Sequence, residues 1–256
     1  MILLIDIGNT RLKWAPLSNG RLGEQSAISH AELTREELIA ALIETSVRPE
    51  RVLIANVGGA RVGDLVAHCL RDHWGVEPEF VHSTARGGGI VNAYRESANL
   101  GVDRWMAIIG AYAMEKRAVC VASVGTAMTI DGVDANGRHR GGVIVPGPEL
   151  MVASLFRNTS EIARRAQRGE STAALFADNT RGAVEQGAVH ALAALIERGS
   201  AMLEQELRDK PVLILTGGAS SRIEGLLRSP FRYVPDLVLR GLARLAMEDQ
   251  SPTANR

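Results

Sequence analysis

Cysteine is scarce: Cys69 and Cys120 are the only two in 256 residues. Their separation matches no zinc-ligand or redox spacing, and both stand among apolar neighbours. They read as buried thiols of a reducing compartment. Net charge is lacking too, since 29 basic residues balance 29 acidic ones. That removes the basic excess a nucleic-acid partner would call for and the acidic tail of a charge-seeking one. No apolar run approaches the roughly 20 residues of a membrane span. The opening MILLI is too short for a signal-peptide core, has no basic segment before it and meets Asp6 at once. A soluble cytoplasmic protein is expected. Three motifs are missing as well. Without G-x-x-x-x-G-K-[ST] there is no P-loop, and no G-x-G-x-x-G follows a strand to hold a dinucleotide. No G-x-S-x-G marks a hydrolase nucleophile. The six histidines are scattered and read as surface or core residues rather than metal ligands.

What is present is an apolar fraction of 46%, enough for one large domain or two lobes with cores of their own. Residues 2–7 read as a buried strand, with hairpin neighbours at 10–17 and 20–27 joined at Asn19-Gly20. Thr34 with Glu37 three residues on predicts a capped helix start. A strand at 51–57, a helix at 60–72 and a short strand in EPEFVHS follow, then the glycine-rich loop ARGGGIVNAYRESANLG. A helix at 102–116 leads to a strand at 118–124 and two more, with a turn at Asn136-Gly137. Pro148 suits the first turn of a helix. The arginines of ARRAQRG suit a solvated helix face. A long helix is expected from Asn179 to Arg208, then PVLILTGGAS as a strand breaking into a glycine turn and a helix. A last helix covers 236–249, and the closing SPTANR reads as frayed.

Strands alternate with helices, yet each half opens with a hairpin meander. A shift of 117 lays IDIGNTRLKWAPLSNGR over ASVGTAMTIDGVDANGR without a gap. Gly8 then falls on Gly125, Asn19 on Asn136, Gly20 on Gly137 and Arg21 on Arg138. The chain therefore reads as an α/β protein of two related lobes, 1–116 and 117–256, each starting strand, glycine turn, strand, turn, strand.

Two such glycine turns can clamp phosphates, because glycine lets backbone N–H groups come close to phosphate oxygens. Thr10 and Thr126 add hydroxyl donors, and Lys13 supplies a cation. Asp6, at the end of the first strand, either caps the turn or holds Mg²⁺, which prefers one or two carboxylates together with substrate phosphates. A third glycine turn, LTGGAS, suits the adenosine end of a nucleotide.

DIGNT at 6–10, LGVDRW at 100–105, GTAMTID at 125–131, GGVIVPG at 141–147 and TGG at 216–218 occur in this order. Together they resemble the type III pantothenate kinases, also known in some bacteria as Bvg accessory factor, within the actin-like acetate and sugar kinase superfamily. The resemblance implies a duplicated actin-like (ribonuclease H-like) two-lobe fold with ATP in the interlobe cleft. It implies ATP-dependent phosphorylation of pantothenate to 4′-phosphopantothenate, the first step of coenzyme A biosynthesis, in a homodimer. By the same resemblance Asp6, Ile7, Gly8, Asn9, Thr10, Arg11, Leu12 and Lys13 form the first phosphate loop, with Asp6 at the Mg²⁺. Thr126 binds ATP in the second. Tyr94, Gly101, Val102, Asp103, Arg104 and Thr180 bind pantothenate, and Asp103 is the general base. Such a base takes the proton of the accepting hydroxyl, and Arg104 can hold the substrate carboxylate. Read alone, Asp103-Arg104 is equally the acidic start of a helix with a neighbouring charge.

One position departs from the family pattern. An aspartate that binds an activating monovalent cation, K⁺ or NH₄⁺, stands two residues before the second-lobe glycine in the family; here it is Ser123. The cation requirement is thereby in question. The alternatives are another small-molecule kinase of the superfamily and a non-catalytic regulatory accessory factor. The latter offers no basic patch and no DNA-reading helix, and Asp6, Asp103 and Asp131 are retained.

Overall fold

The structure, a computed structural model, describes residues 1–249. The chain forms two compact units. One comprises Met1–Lys116, Gly137–His139 and the described residues 236–249; the other comprises Arg117–Asn136 and Arg140–Pro235.

In the first unit, β1 (Ile2–Ile7) is buried along its whole length, as its apolar run Ile2–Ile5 requires, with Asp6 buried along with it. It pairs antiparallel with β2 (Arg11–Ser18). Asn19 (φ +50°) and Gly20 (φ +72°) are both left-handed, the geometry that matches the twist of a tight hairpin. The expected single return strand is broken in two, β3 (Arg21–Leu22) and β4 (Ser26–Ser29). Leu17 faces Leu22, whereas Trp14 faces Ser26, so the partner strand carries one extra residue between the two ladders. That bulge falls opposite Pro16, which has no N–H to give to the ladder. Thr34 caps α1 (Arg35–Leu38) with both bonds of the capping box, and the helix widens into a π turn at Ile39–Ile43. β5 (Arg51–Asn56), α2 (Ala60–Trp74) and β6 (Glu79–Phe80) complete the layer, with sheet order β3-β2-β1-β5-β6. Leu3, Ile5 and Ile7 share one core with Val62, Val66 and Leu70 of α2. The glycine-rich loop contains a hairpin that was not expected, β7 (Arg86–Gly87) and β8 (Ile90–Val91). Its turn residues Gly88 and Gly89 are left-handed. α3 (Val102–Glu115) follows.

The second unit repeats the plan. Its sheet runs β11 (His139–Pro146), β10 (Ala127–Val133), β9 (Val119–Val124), β12 (Val212–Thr216), β13 (Phe231–Tyr233). In both sheets the opening strand lies between its antiparallel hairpin partner and a parallel later strand. β9 coincides residue for residue with β1 shifted by 117, but the glycine turn after it is one residue shorter. The Gly8 N–H bonds the Arg11 carbonyl, whereas the Gly125 N–H bonds the Ala127 carbonyl. Asp6 therefore stands opposite Lys13, and Ser123 opposite Thr129 rather than Ile130. The gapless repeat fails by one residue beyond the turn. At Asn136-Gly137 only the glycine is left-handed (φ +75°).

Pro148 opens α4 (Pro148–Asn158), and α5 (Ser160–Ala166) places Arg164 and Arg165 on an exposed face, paired with Glu161. The long helix α6 (Thr180–Leu207) is capped by Asn179, whose side chain accepts from the Gly182 N–H, and ends at left-handed Arg208 (φ +52°). After β12 the expected helix is replaced by two 3₁₀ turns, Ser220–Arg222 and Glu224–Leu226. The Ser220 hydroxyl donates to the Thr216 and Gly217 carbonyls, and Gly225 and Pro230 discourage anything longer. The last helix, α7 (Leu237–Asp249), packs along α3 and so folds with the first half of the chain rather than with the second. SPTANR lies outside the described residues. No helix among the described residues is long and apolar enough to cross a membrane.

Candidate active site

In the first unit the end of β1 opens into the Gly8-Asn9-Thr10 turn, in which Asn9 and Thr10 are exposed. Asp6 is buried at 7% exposure, and Lys13 stands directly across the strand pair from it. Burial pushes the Asp6 carboxyl up to about 7; the Lys13 charge pulls it down, and the Asp103 charge raises it again. Ile7 and Leu12 of the predicted loop are core residues. Arg11 is exposed. Asp103, almost a hundred residues from DIGNT, is thus close enough to act on Asp6. The first-turn position of Asp103 on α3 brings it there. Gly101 has no capping side chain, and the Asp103 carboxylate accepts instead from the Arg104 N–H (2.8 Å), satisfying one of the orphan donors of the first turn.

Arg104 is buried, a costly state for a guanidinium unless its donors are used. Its Nη1–H donates to the Tyr94 hydroxyl (2.8 Å). The Tyr94 ring stacks on His139, with centroids 6.2 Å apart at 12°. The His139 Nδ1 in turn accepts from the Ala93 N–H (3.4 Å). His139 belongs to the short Gly137–His139 segment, joined to the first unit by the Val91 N–H bonding the Gly137 carbonyl (2.8 Å). Sequence reading missed His139, because a lone histidine in a strand carries no signal of its neighbours.

In the second unit the Gly125-Thr126 turn is exposed at Thr126, and the third glycine turn backs it. The Ala219 N–H bonds the Val124 carbonyl (3.0 Å). Gly217 (φ +100°) comes so close that a Cβ would lie 2.2 Å from that same oxygen, so no other residue fits without moving the turn. The first unit has the same device: the Val57 and Gly58 N–H groups bond the Ile7 carbonyl at 2.9 and 3.0 Å. VGGA (57–60) echoes TGGA (216–219), a signal legible in the sequence that had pointed only to the second of the pair. Ser123 is flanked in register by Thr129 and Thr216, so its direct neighbours across the sheet offer hydroxyls and no carboxylate. Asp131 is buried beside Cys120, whose thiol is pushed up to about 12 by burial, with the Asp131 charge adding to it. Thr180 lies in this unit too, at the start of α6. It lines a mostly apolar pocket of about 850 Å³ with Pro146, Met151, Leu155, Asp178 and Asn179. Among the described residues no three His, Cys, Asp or Glu side chains are grouped to hold a metal ion. A divalent cation at Asp6 would take its remaining ligands from water and phosphate, as Mg²⁺ ordinarily does.

The family model described as type III pantothenate kinase matches residues 2–201. A type III pantothenate kinase of Nitrosococcus oceani is 36% identical over 97% of this chain and 94% of its own length. Another, from Alkalilimnicola ehrlichii, is 38% identical over 96% and 98%. Among solved structures, a conserved Baf family transcriptional activator from Campylobacter jejuni superposes with a TM-score of 0.56 at 20% identity, over 97% of this chain and 98% of that one. The activator of 2-hydroxyisocaproyl-CoA dehydratase from Clostridium difficile, with bound ADPNP, gives 0.52 at 13% over 100% and 98%. These two likenesses speak to the fold. With a repeated mixed sheet, a matching family model and relatives aligned nearly end to end, the chain belongs to the type III pantothenate kinase family of phosphotransferases and has the duplicated actin-like α/β fold.

Proposed function

We propose that this chain transfers the γ-phosphoryl group of ATP to the primary hydroxyl of pantothenate, forming 4′-phosphopantothenate at the entry to coenzyme A biosynthesis. The observation that carries this reading is the convergence of Asp6, Lys13 and Asp103 in the first unit beside buried Arg104 and its half-buried partner Tyr94. Phosphoryl transfer asks mainly for positioning and charge neutralisation. The Asp6–Lys13 loop of the first unit binds the phosphates of ATP. Asp6 would hold Mg²⁺: a carboxyl that burial pushes up to about 7 gains from a cation beside it, so the donor suits the metal. When bound, the metal would neutralise phosphate charge. Asp103 takes the hydroxyl proton, Arg104 binds the substrate carboxylate, and Tyr94, Gly101 and Val102 complete the pantothenate site of the first unit. A coupled ADP-release assay across pantothenate, acetate and simple sugars tests the reading. Turnover with pantothenate alone is expected, and turnover with a sugar or acetate instead would replace it with another kinase activity.

The protein works in the cytoplasm on this reading, consistent with two buried free cysteines. It also works as a homodimer. Val143 (47% exposed) and Ile144 (60%) on β11, Leu155 (43%) on α4 and Phe176 (93%) leave the second unit with large apolar side chains in the open. Sedimentation at micromolar concentration should give twice the chain mass; a monomer there overturns the dimer.

Activation by K⁺ or NH₄⁺ should be partial or absent. Ser123 and its neighbours Thr129 and Thr216 bring oxygen dipoles and no charge, and neutral oxygens hold a monovalent ion weakly where water competes. Activity in sodium, potassium and ammonium buffers of matched ionic strength is the check, with Ser123→Asp expected to create or strengthen cation activation. A strict potassium requirement in the parent chain sinks this expectation.

A further inference from the structure

We propose that His30 is a positioning residue for the first phosphate loop, holding the Gly8-Asn9-Thr10 turn by two hydrogen bonds made by one residue. The proposal rests on the reading that this turn receives the phosphates of ATP.

The His30 ring Nε2 lies 2.6 Å from the Gly8 carbonyl oxygen. A carbonyl can only accept, so Nε2 carries the proton and donates. The His30 backbone N–H donates to the Thr10 carbonyl (3.1 Å). His30 is 4% exposed, and its own carbonyl is held by Arg61 Nη2 (3.2 Å). It is delivered to the turn by β4, whose last residue, Ser29, pairs with Arg11 at the start of β2.

The consequence follows from the planarity of the peptide group. The Gly8 oxygen and the Asn9 N–H belong to one trans peptide and point in opposite directions. Holding that oxygen therefore fixes the direction of the Asn9 N–H. Holding the Thr10 oxygen fixes the Arg11 N–H in the same way. Gly8 has no side chain to restrain the peptide, so the restraint must come from outside. Gly58 closes the other approach: a Cβ there would lie 2.5 Å from the Gly8 oxygen and 3.3 Å from His30 Nε2. The oxygen is thus enclosed between His30 and Gly58. Without the imidazole it is left short of a partner, and the Gly8–Asn9 peptide becomes free to turn. Loop amides that no longer point one way bind phosphate less well, because ordering them is then charged to nucleotide binding.

The experiment is steady-state kinetics of His30→Ala, His30→Asn and His30→Gln beside the parent chain, varying ATP and pantothenate separately. Glutamine can bring a donor to the Gly8 oxygen, whereas asparagine is too short. His30→Ala and His30→Asn should raise KM for ATP about tenfold, as loss of one buried hydrogen bond does. KM for pantothenate should stay within about twofold. His30→Gln should recover most of the ATP affinity. Equal KM values for ATP in the Gln and Asn variants, or a rise in both KM values together, would overturn the role. If the parent chain turns over pantothenate and His30→Ala matches it, this inference alone fails. If the parent chain shows no ATP-dependent turnover of pantothenate, the functional reading fails first.

Discussion

Asp103→Asn should lower kcat by about 10²- to 10⁴-fold, the usual effect of removing a general base. The amide keeps the shape of the carboxylate and its oxygen can still accept from the Arg104 N–H, so α3 should start as before. What it cannot do is take a proton from the accepting hydroxyl. Helix α3 loses a negative charge from its first turn, at a stability cost of about 0.3–1 kcal/mol, too little to unfold the chain. KM for ATP should change little. A second effect follows from the charge: Asp103 raises the Asp6 carboxyl, so the variant should leave Asp6 easier to ionise. Steady-state kinetics with a thermal melt as control make the measurement. A variant that folds and retains near-parental kcat takes Asp103 out of the base role.

Much of this arrangement was legible in the sequence, for reasons that differ from element to element. β1 and β9 stand out because a strand buried on both faces is apolar over most of its length, and MILLI and AVCVASV are, with Asp6 and Ser123 as the polar positions near the strand ends. The Thr34 capping box is local chemistry, readable without tertiary knowledge. The shift of 117 betrayed the duplication because the opening strands share length and ending. It failed past the glycine turn because one loop is a residue shorter, and only strand register reveals that. The bulge opposite Pro16 is likewise a cross-strand fact. The apolar face of α7 announces burial but not its partner, so its packing on α3 was not foreseeable. His30 and His139 were invisible for the same reason: the first reaches Gly8 only because β4 pairs with β2, the second reaches Tyr94 only through the Gly137–His139 segment. Gly58 was within reach, since VGGA repeats TGGA, but a glycine pair after a buried strand has many ordinary uses.

Asp6→Asn should abolish most Mg²⁺-dependent turnover and at the same time make the metal-free, nucleotide-free protein more stable at neutral pH. The two effects have one cause. Burial raises the Asp6 carboxyl from 3.8 to about 7 in the folded chain, Lys13 notwithstanding. Between those values the native state holds a proton that the unfolded state has released. Stability therefore falls as pH rises from about 4 to about 7 and stays low above it. The ceiling for such a shift is on the order of 4 kcal/mol, and structural relaxation around the carboxylate will bring the observed value below that. Asparagine has nothing to titrate, so the variant should lack this slope and exceed the parent chain by a few kcal/mol at pH 7 to 8. Denaturant unfolding of both proteins across pH 4–8, with chelator present, reads the difference directly. A residue that costs stability and is required for turnover is a functional one, its burial tolerated for the sake of the cation it receives. A variant that matches the parent chain in activity and in magnesium titration would reduce Asp6 to a strand-end cap. Parallel pH profiles for the two proteins would show that the folded chain does not hold the carboxyl proton at all.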